Sequence, residues 1–303
     1  MKASAIVVSY NRGVILSHCI DKLLKQTATN YEVIVVDDGS TDETKELMEK
    51  IKDPRFKYYR NEKKMGQPYA RNRGIKEAKG EIIIFVDSDV LVDRKFINDH
   101  LRLHKKDDKL IVQGMVRHIK KTEDYGKSSL LIDGFCLAGL ITQNVSVKKK
   151  WLEEAGGFDE SFVGIMGYMD VEIGRRLKGL GLKTIYAFRS CLAWHLDGYE
   201  TEERIRAVFD KSYQRGKNAV KLSEKYGKRV AARHLKKSYV DFITKLFGTE
   251  QWVENKGVDY LIIHRDSFLF PILKWIMKYH YRGKGIRKAI KEKEKGGTHN
   301  SPS

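Results

Sequence analysis

Glu81-Ile-Ile-Ile-Phe-Val-Asp-Ser-Asp89 is the stretch on which the fold turns. From Ile82 to Val86 no side chain is polar, and two carboxylates, Asp87 and Asp89, follow at once. Such an apolar run reads as a strand buried on both faces, as in a parallel sheet. Ligands of open α/β sheets bind beyond the carboxyl ends of these strands. Asp-x-Asp at that place suits Mg2+ or Mn2+, hard cations that prefer carboxylate oxygen and keep positions open for phosphate. A solvated turn is the plainer reading of the motif taken alone.

Two earlier apolar runs, Ala5–Val8 and Val33–Val36, also stop at polar residues, Ser9-Tyr-Asn-Arg12 and Asp37-Asp-Gly-Ser-Thr-Asp42. Three strand ends thus offer polar groups to one edge. Helical signals fall between them. Leu16, Ile20, Leu23 and Leu24 have helical spacing. Ser40 and Glu43 form a capping-box pattern opening a helix through Met48 and Ile51. Pro68 stands where a first helical residue belongs, and Gly80 lies past that helix's end. This β-α-β-α order predicts an α/β fold, a mostly parallel doubly wound sheet with helices on both faces.

From about residue 110 the rhythm shifts to shorter strands and loops: 111–116, 142–147, a Gly156-Gly157 break, a helix from Asp170 to Gly181, and strands at 184–188 and 191–194. Beyond residue 200 the chain reads helical and basic, with helices near 201–226, 228–247 and 258–282 and a disordered tail over 292–303. Of a net charge of +18, residues 200–303 contribute 24 Lys and Arg against 12 Asp and Glu. That imbalance speaks for an anionic partner. Cys19, Cys136 and Cys191 are too scattered for a disulfide framework or a zinc site and read as core packing. The N-terminus enters a strand by Ala5 without a secretory h-region, so the protein is expected to stay in the cytoplasm. The apolar run 268–277 is about half of the ~20 residues that span a bilayer. It can lie on a membrane or in a core.

No strand leads into Gly-x-Gly-x-x-Gly, and no Gly-x-x-x-x-Gly-Lys-Ser/Thr occurs. Phosphate work would then fall to a metal. Val7-Val-Ser-Tyr-Asn-Arg12, Val36-Asp-Asp-Gly-Ser-Thr-Asp42, Gly66 with Ala70-Arg-Asn-Arg-Gly74, Asp87-Ser-Asp89, Gly156-Gly-Phe-Asp159 and the Asp170 segment occur in order over roughly residues 4–200. Together they closely resemble the inverting family-2 glycosyltransferases.

The resemblance implies a GT-A fold over residues 1–199: a nucleotide-binding half, about 1–110, merged with an acceptor-binding half, about 111–199. A helical basic region, 200–303, follows. It implies that Ser9, Tyr10 and Asn11 lie against the nucleotide, that Asp38 recognises base or ribose, and that Arg71 is the basic group near base and phosphates. Asp87 matches the ribose or outer-shell position and Asp89 the direct ligand of Mn2+ or Mg2+. His195 falls where many relatives place another ligand, and a packed histidine beside Trp194 stays open. Asp170 matches the general base. Relatives carry Glu-Asp there, whereas this chain has Met169-Asp170.

Local physics also favours Asp170 over Glu172. Two helical positions apart, they point roughly 200° apart. Glu172 has Arg176 at i+4 as an ion-pair partner, whereas Asp170 faces Gly174. Asp170 also falls in a first helical turn, where the dipole favours negative charge. An N-cap aspartate, worth ~1 kcal/mol of helix stability, is the plainer role.

The function expected is metal-dependent transfer from a nucleotide sugar, a UDP-sugar foremost, to a saccharide, lipid-linked or peptide acceptor. A sugar-phosphate nucleotidyltransferase is the nearest enzymatic alternative. Nucleic-acid binding by the basic region, where Tyr213, Tyr226, Tyr239, Trp252 and Tyr260 interleave with Lys and Arg, is the alternative from another class. Residues 258–295 pair an apolar wedge with basic residues, as an interfacial anchor on an anionic membrane requires. A helix packed on its own domain is the competing reading.

Overall fold

The structure, a computed structural model, describes residues 2–127, 132–133, 140–162, 168–197, 201–227, 256–263 and 269–297. The chain divides into two compact units. One holds Met1–Gly164 with Met169–Gly198, the other Ile165–Tyr168 with Tyr199–Ser303.

In the first unit, β1 (Ala3–Ser9), α1 (Gly13–Leu24), β2 (Tyr31–Asp37), α2 (Thr44–Glu49), β3 (Phe56–Arg60), α3 (Gln67–Glu77) and β4 (Ile82–Asp87) alternate as the apolar runs require. Then come β5 (Val90–Val92), α4 (Phe96–His104), β6 (Leu110–Gly114), β7 (Val116–Ile119), β8 (Ile132–Asp133), β9 (Asn144–Lys148), α5 (Lys149–Glu154), α6 (Met169–Gly179), β10 (Lys183–Ala187) and β11 (Ala193–Leu196). Seven strands form a sheet in the order β10-β6-β9-β4-β1-β2-β3. All its pairings are parallel except those of β9, which runs antiparallel to β4 and β6.

Side chains alternate across a strand, so Ala3, Ala5 and Val7 of β1 meet Leu16, Ile20 and Leu23 of α1 on one face. Ile6 points to the other face, where α3 comes so close that a Cβ on Gly74 would lie 2.5 Å from Ile6 Cγ2. Helices thus cover both faces, as the unbroken apolar strands predict. Ile82, Ile83, Ile84, Phe85 and Val86 are all buried, and such side chains each contribute ~1.5–3 kcal/mol by leaving water.

A second sheet, β5-β11-β7-β8, was not legible in the sequence. It matters here because β11 runs parallel to β7, setting His195 beside His118. Under β9, His100 and His104 of α4 converge on Ser146, at 2.8 and 2.9 Å, and His100 also reaches Asn144 at 3.0 Å. Asn144 in turn donates to the carbonyls of Met115 and Cys191, joining the two sheets through one buried amide.

Several local expectations need correction. Ser40 does not cap α2; its hydroxyl accepts the Asn11 N–H, and Asp42 accepts from the Thr44 N–H at 3.1 Å instead. The 191–194 strand runs Ala193–Leu196, so His195 lies inside it. Cys19 and Cys191 are buried and free, and burial pushes both thiols above their usual range, which fits packing and not chemistry. Cys136 lies outside the described residues.

The second unit contains α7 (Glu202–Tyr226), α8 (Val258–Ile263) and α9 (Phe270–Gly297). Thr201 caps α7. Gly216 of α7 faces the Arg282 carbonyl and Gly285 of α9 faces that of Tyr213, with no room for a Cβ at either crossing. Ile205, Phe209, Leu261, Phe270 and Met277 form this unit's core. The apolar wedge is therefore divided: Phe270 and Met277 are buried, while Leu269, Ile272, Trp275 and Tyr279 are exposed. Helix α9 continues to Gly297, through positions assigned by sequence to the disordered tail. The helix expected at 228–247, with Tyr239 and also Trp252, lies outside the described residues. Among the described residues no helix is long and apolar enough to cross a membrane.

Candidate active site

The parallel register sets Ser9 beside Asp37 and Val8 beside Asp87, so the ends of β1, β2 and β4 share one edge of the sheet. Each loop leaving that edge is held by short polar contacts. Asn11 adopts φ +52°, and its side-chain oxygen accepts the Thr41 N–H at 2.8 Å. Asp37, fully buried, accepts from the Ser40 N–H at 2.9 Å and from the Tyr58 hydroxyl at 2.6 Å. Asp38 accepts from Asn61 Nδ2 at 2.9 Å and from the backbone N–H groups of Met65 and Gly66, each at 2.8 Å. A carboxylate offers about four lone-pair sites, so three of those on Asp38 serve the loop that leads into α3. Ser9 Oγ is buried without a hydrogen-bond partner, and the Tyr10 ring is exposed with Lys64 Nζ 4.0 Å from its centre.

Arg71 and Asn72, consecutive on α3, reach different segments. Asn72 donates to the Phe158 carbonyl at 2.8 Å and accepts its N–H at 2.7 Å. It thereby clamps the turn whose Gly156 and Gly157 take φ +79° and +69°. A Cβ on Gly157 would lie 2.7 Å from Asn72 Oδ1, so this turn needs glycine for space as well as for φ. Arg71 is buried; its guanidinium donates to Thr142 Oγ1 at 2.6 Å and to Asp170 Oδ1 at 3.2 Å, and lies 3.7 Å from Asp87.

Asp170 sits in the first turn of α6 and is not its N-cap, since the helix begins at Met169. Its second oxygen accepts from the Thr142 hydroxyl at 3.0 Å and lies 3.3 Å from the Thr142 N–H. The carboxylate that has no partner along its own helix is thus held from outside by Arg71 and Thr142. Glu172 is fully buried and paired along its own helix: Arg176 Nε meets its Oε1 at 2.8 Å, as the i, i+4 spacing predicts.

Asp89 is buried, with Oδ2 against the Arg12 guanidinium. Its Oδ1 is buried without a hydrogen bond and stands 3.4 Å from His195 Nε2. A sequestered, unsatisfied carboxylate oxygen facing an imidazole nitrogen is the donor set a Mn2+-class cation takes, so these residues fit the metal expected there. Loss of hydration pushes Asp87 up to about 6; Arg71 opposes this, while Asp89 and Asp170 add to it. Burial alone would lower the His195 imidazole, but its contact with Asp197 and the charge of Asp89 outweigh it, and its pKa is raised. Burial works the other way on Asp197, yet His118 and His195 hold its carboxyl well below the usual range.

The structure brings together Arg71, Asp87, Asp89, Asp170 and His195. It places Asn11 and Asp38 in the adjoining loops, engaged with backbone groups. The sequence reading missed Arg12, Thr142, His118 and Asp197. The spacing His195-x-Asp197 was a usable signal for the last, because alternate strand residues share a face. A basic hollow of about 930 Å3 near Lys22, Lys25, Arg94, Lys95 and Tyr125 includes none of the five residues gathered at this site.

Residues 4–161 match the family model described as Glycosyl transferase family 2. The glycosyltransferase GlyG of Streptococcus pneumoniae is 35% identical over 147 residues, 47% of this chain and 48% of GlyG. The poly(ribitol-phosphate) beta-N-acetylglucosaminyltransferase TarS of Staphylococcus aureus is 38% identical over 103 residues, 33% of this chain and 18% of TarS. The chain thus spans about half the length of GlyG and less of TarS. Among solved structures, a Pyrobaculum calidifontis mannosyltransferase with GDP-Man and Mn2+ shares the fold at TM-score 0.66 and 17% identity, covering 96% of this chain and 88% of that one. S. aureus TarS 1-349 with UDP does so at 0.57 and 19%, covering 98% and 92%. With over half of its length inside the family model and an α/β sheet carrying the family's motifs at its carboxyl edge, this chain belongs to glycosyl transferase family 2 and has the GT-A fold.

Proposed function

We propose that the chain is a divalent-cation-dependent, inverting glycosyltransferase that moves a sugar from a nucleotide sugar, a UDP-sugar foremost, to a cell-envelope saccharide or its lipid-linked precursor. The observation that carries this reading is the convergence of Asp87, Asp89 and Asp170 around Arg71 and His195. Asp89 and His195 would hold the cation, with Asp87 beside them toward the ribose. Once bound, it would neutralise charge on the departing diphosphate.

Asp170 takes the proton from the acceptor hydroxyl as that oxygen bonds to the anomeric carbon, opposite the breaking bond to the nucleoside diphosphate. One carboxylate suffices for a single displacement, and the configuration inverts. Arg71 and Thr142 fix the direction of that carboxylate, so its free lone pairs meet the acceptor in one orientation. The UDP complex of TarS supports the donor class, and the name of TarS supports an envelope saccharide as acceptor. The surplus of Lys and Arg in residues 200–303 suits an anionic polymer or leaflet. We assign the protein accordingly to the cytoplasmic side, with Leu269 and the α9 residues Ile272, Trp275 and Tyr279 resting on the membrane surface.

The test is a panel of UDP-sugars and GDP-mannose with Mn2+, following donor hydrolysis, which needs no acceptor. Release of a nucleoside diphosphate that stops on chelation supports the reading. Pyrophosphate as product, or turnover indifferent to chelator, overturns it.

A further inference from the structure

We propose that Asp197, steadied by His118, is a positioning residue for the cation site, holding the His195 imidazole with Nε2 turned toward Asp89. The inference rests on the reading of Asp89 and His195 as cation ligands. His195 has its two nitrogens in different company: Nε2 lies 3.4 Å from Asp89 Oδ1, and Nδ1 lies 2.9 Å from Asp197 Oδ1. The other Asp197 oxygen receives His118 Nδ1 at 2.6 Å. An imidazole that ligates a metal through one nitrogen commonly directs its other N–H to a carboxylate, which fixes both tautomer and ring direction. Here that assignment puts the proton on Nδ1 and leaves the Nε2 lone pair facing Asp89.

The backbone explains why these groups meet. His195 and His118 are register partners in the parallel β11–β7 ladder, their ring centres 5.4 Å apart. Asp197, two residues on, has its N–H on the Ile119 carbonyl at 2.9 Å, so its main chain is tied to the same strand as His118. The Nδ1 contact of His195 is short but not in line for a hydrogen bond, so the proposed role requires the ring to rotate toward Asp197. His118, His195 and Asp197 each offer an atom within 4.8 Å of the others and could themselves surround an ion. Such an ion would have to lie between Asp197 and the two Nδ1 atoms, where His118 already bonds to the carboxylate. A carboxylate between two ring donors accounts for the geometry without displacing either.

Mn2+ binding in the presence of UDP, and of GDP as a second nucleotide, tests this by electron paramagnetic resonance on the full chain. Asp197→Ala is expected to weaken Mn2+ by ~10–100-fold, the usual effect of losing such a partner. It should also diminish the nitrogen spin-echo modulation of a directly bound imidazole. Asp197→Asn, whose amide oxygen still accepts the Nδ1–H, should restore part of both, and His118→Gln should lie between. Should Asp197→Ala not fold, the Asn and Gln variants carry the same comparison. Unchanged Mn2+ affinity and nitrogen modulation in the Asp197 variants, with both reduced in His195→Ala, overturn the positioning role alone. If His195→Ala also changes neither, the ligand reading beneath it fails. Retained binding in Asp89→Asn that is lost in His118→Gln places the ion among the triad and overturns the proposal.

Discussion

Arg71 and Asp170, 99 positions apart in the chain, are brought to 3.2 Å at the carboxyl edge of the sheet. The contact joins α3, which follows β1, β2 and β3, to α6, which carries the proposed base. It also separates the two acids of α6 by role. Asp170 is held by groups from elsewhere in the fold and keeps its side chain partly open, whereas Glu172 is consumed by Arg176.

Asp170→Asn should therefore lower transfer by ~10²–10⁴-fold while leaving donor affinity nearly unchanged. Glu172→Gln should do the reverse, costing on the order of 1–3 kcal/mol of stability as a buried pair loses its charge, with little change in turnover per folded molecule. Steady-state kinetics beside urea unfolding decides. A large rate loss confined to Glu172→Gln would remove Asp170 from its role.

Arg12 occupies Asp89 Oδ2, and a cation ligated there must compete with its guanidinium. With Arg12 43% exposed, an ion pair of this kind is worth at most ~1 kcal/mol, so Arg12→Ala should tighten Mn2+ binding without nucleotide by no more than about fivefold. Free Mn2+ measured by its resonance signal gives the constant. Weaker binding in the variant contradicts competition.

Acid should loosen the fold through His100 and His104. Burial pushes His100 down to about 3, with His104 adding to it, and His104 down to about 4, with Lys148 adding to it. Both rings stay neutral in the fold and bind a proton on unfolding below ~6.5. Their contribution is whole above that value and is lost as pH falls toward the folded values, by up to ~1.4 kcal/mol per pH unit for each ring. Urea midpoints between pH ~6.5 and ~5 should fall, and less steeply in His100→Gln. Flat midpoints in the parent protein would show that the pair carries no such linkage.

If α9 rests on a leaflet, vesicles rich in anionic lipid should sediment the full chain at low salt. Trp275→Ala with Ile272→Ser should release it, because both side chains are more than half exposed and supply interfacial area. Equal sedimentation of parent and variant would send the search for the acceptor away from the membrane.

How far the sequence could be read follows from the range of each signal. The strands at Ala5, Val33 and Ile82 announce themselves because burial on two faces demands unbroken apolar runs. The pairing of Glu172 with Arg176 is local and was legible. The second sheet was not, since β5 has three residues and β8 two, too short for any period to show. Thr142 and Arg71 could be assigned to Asp170 only once the chain had folded, and the same holds for His118 across from Asp197.

The clamp made by Asn72 has a mechanical meaning when set beside its neighbour. Successive residues of a helix point about 100° apart, so Arg71 and Asn72 act as two arms of one lever, one gripping residues 142 and 170, the other the turn at 157–158. Any roll of α3 is handed to both segments at once. The spacing between Asp170 and the glycine turn is thereby indexed to a single rigid body, and an insertion within α3 would put both out of step together.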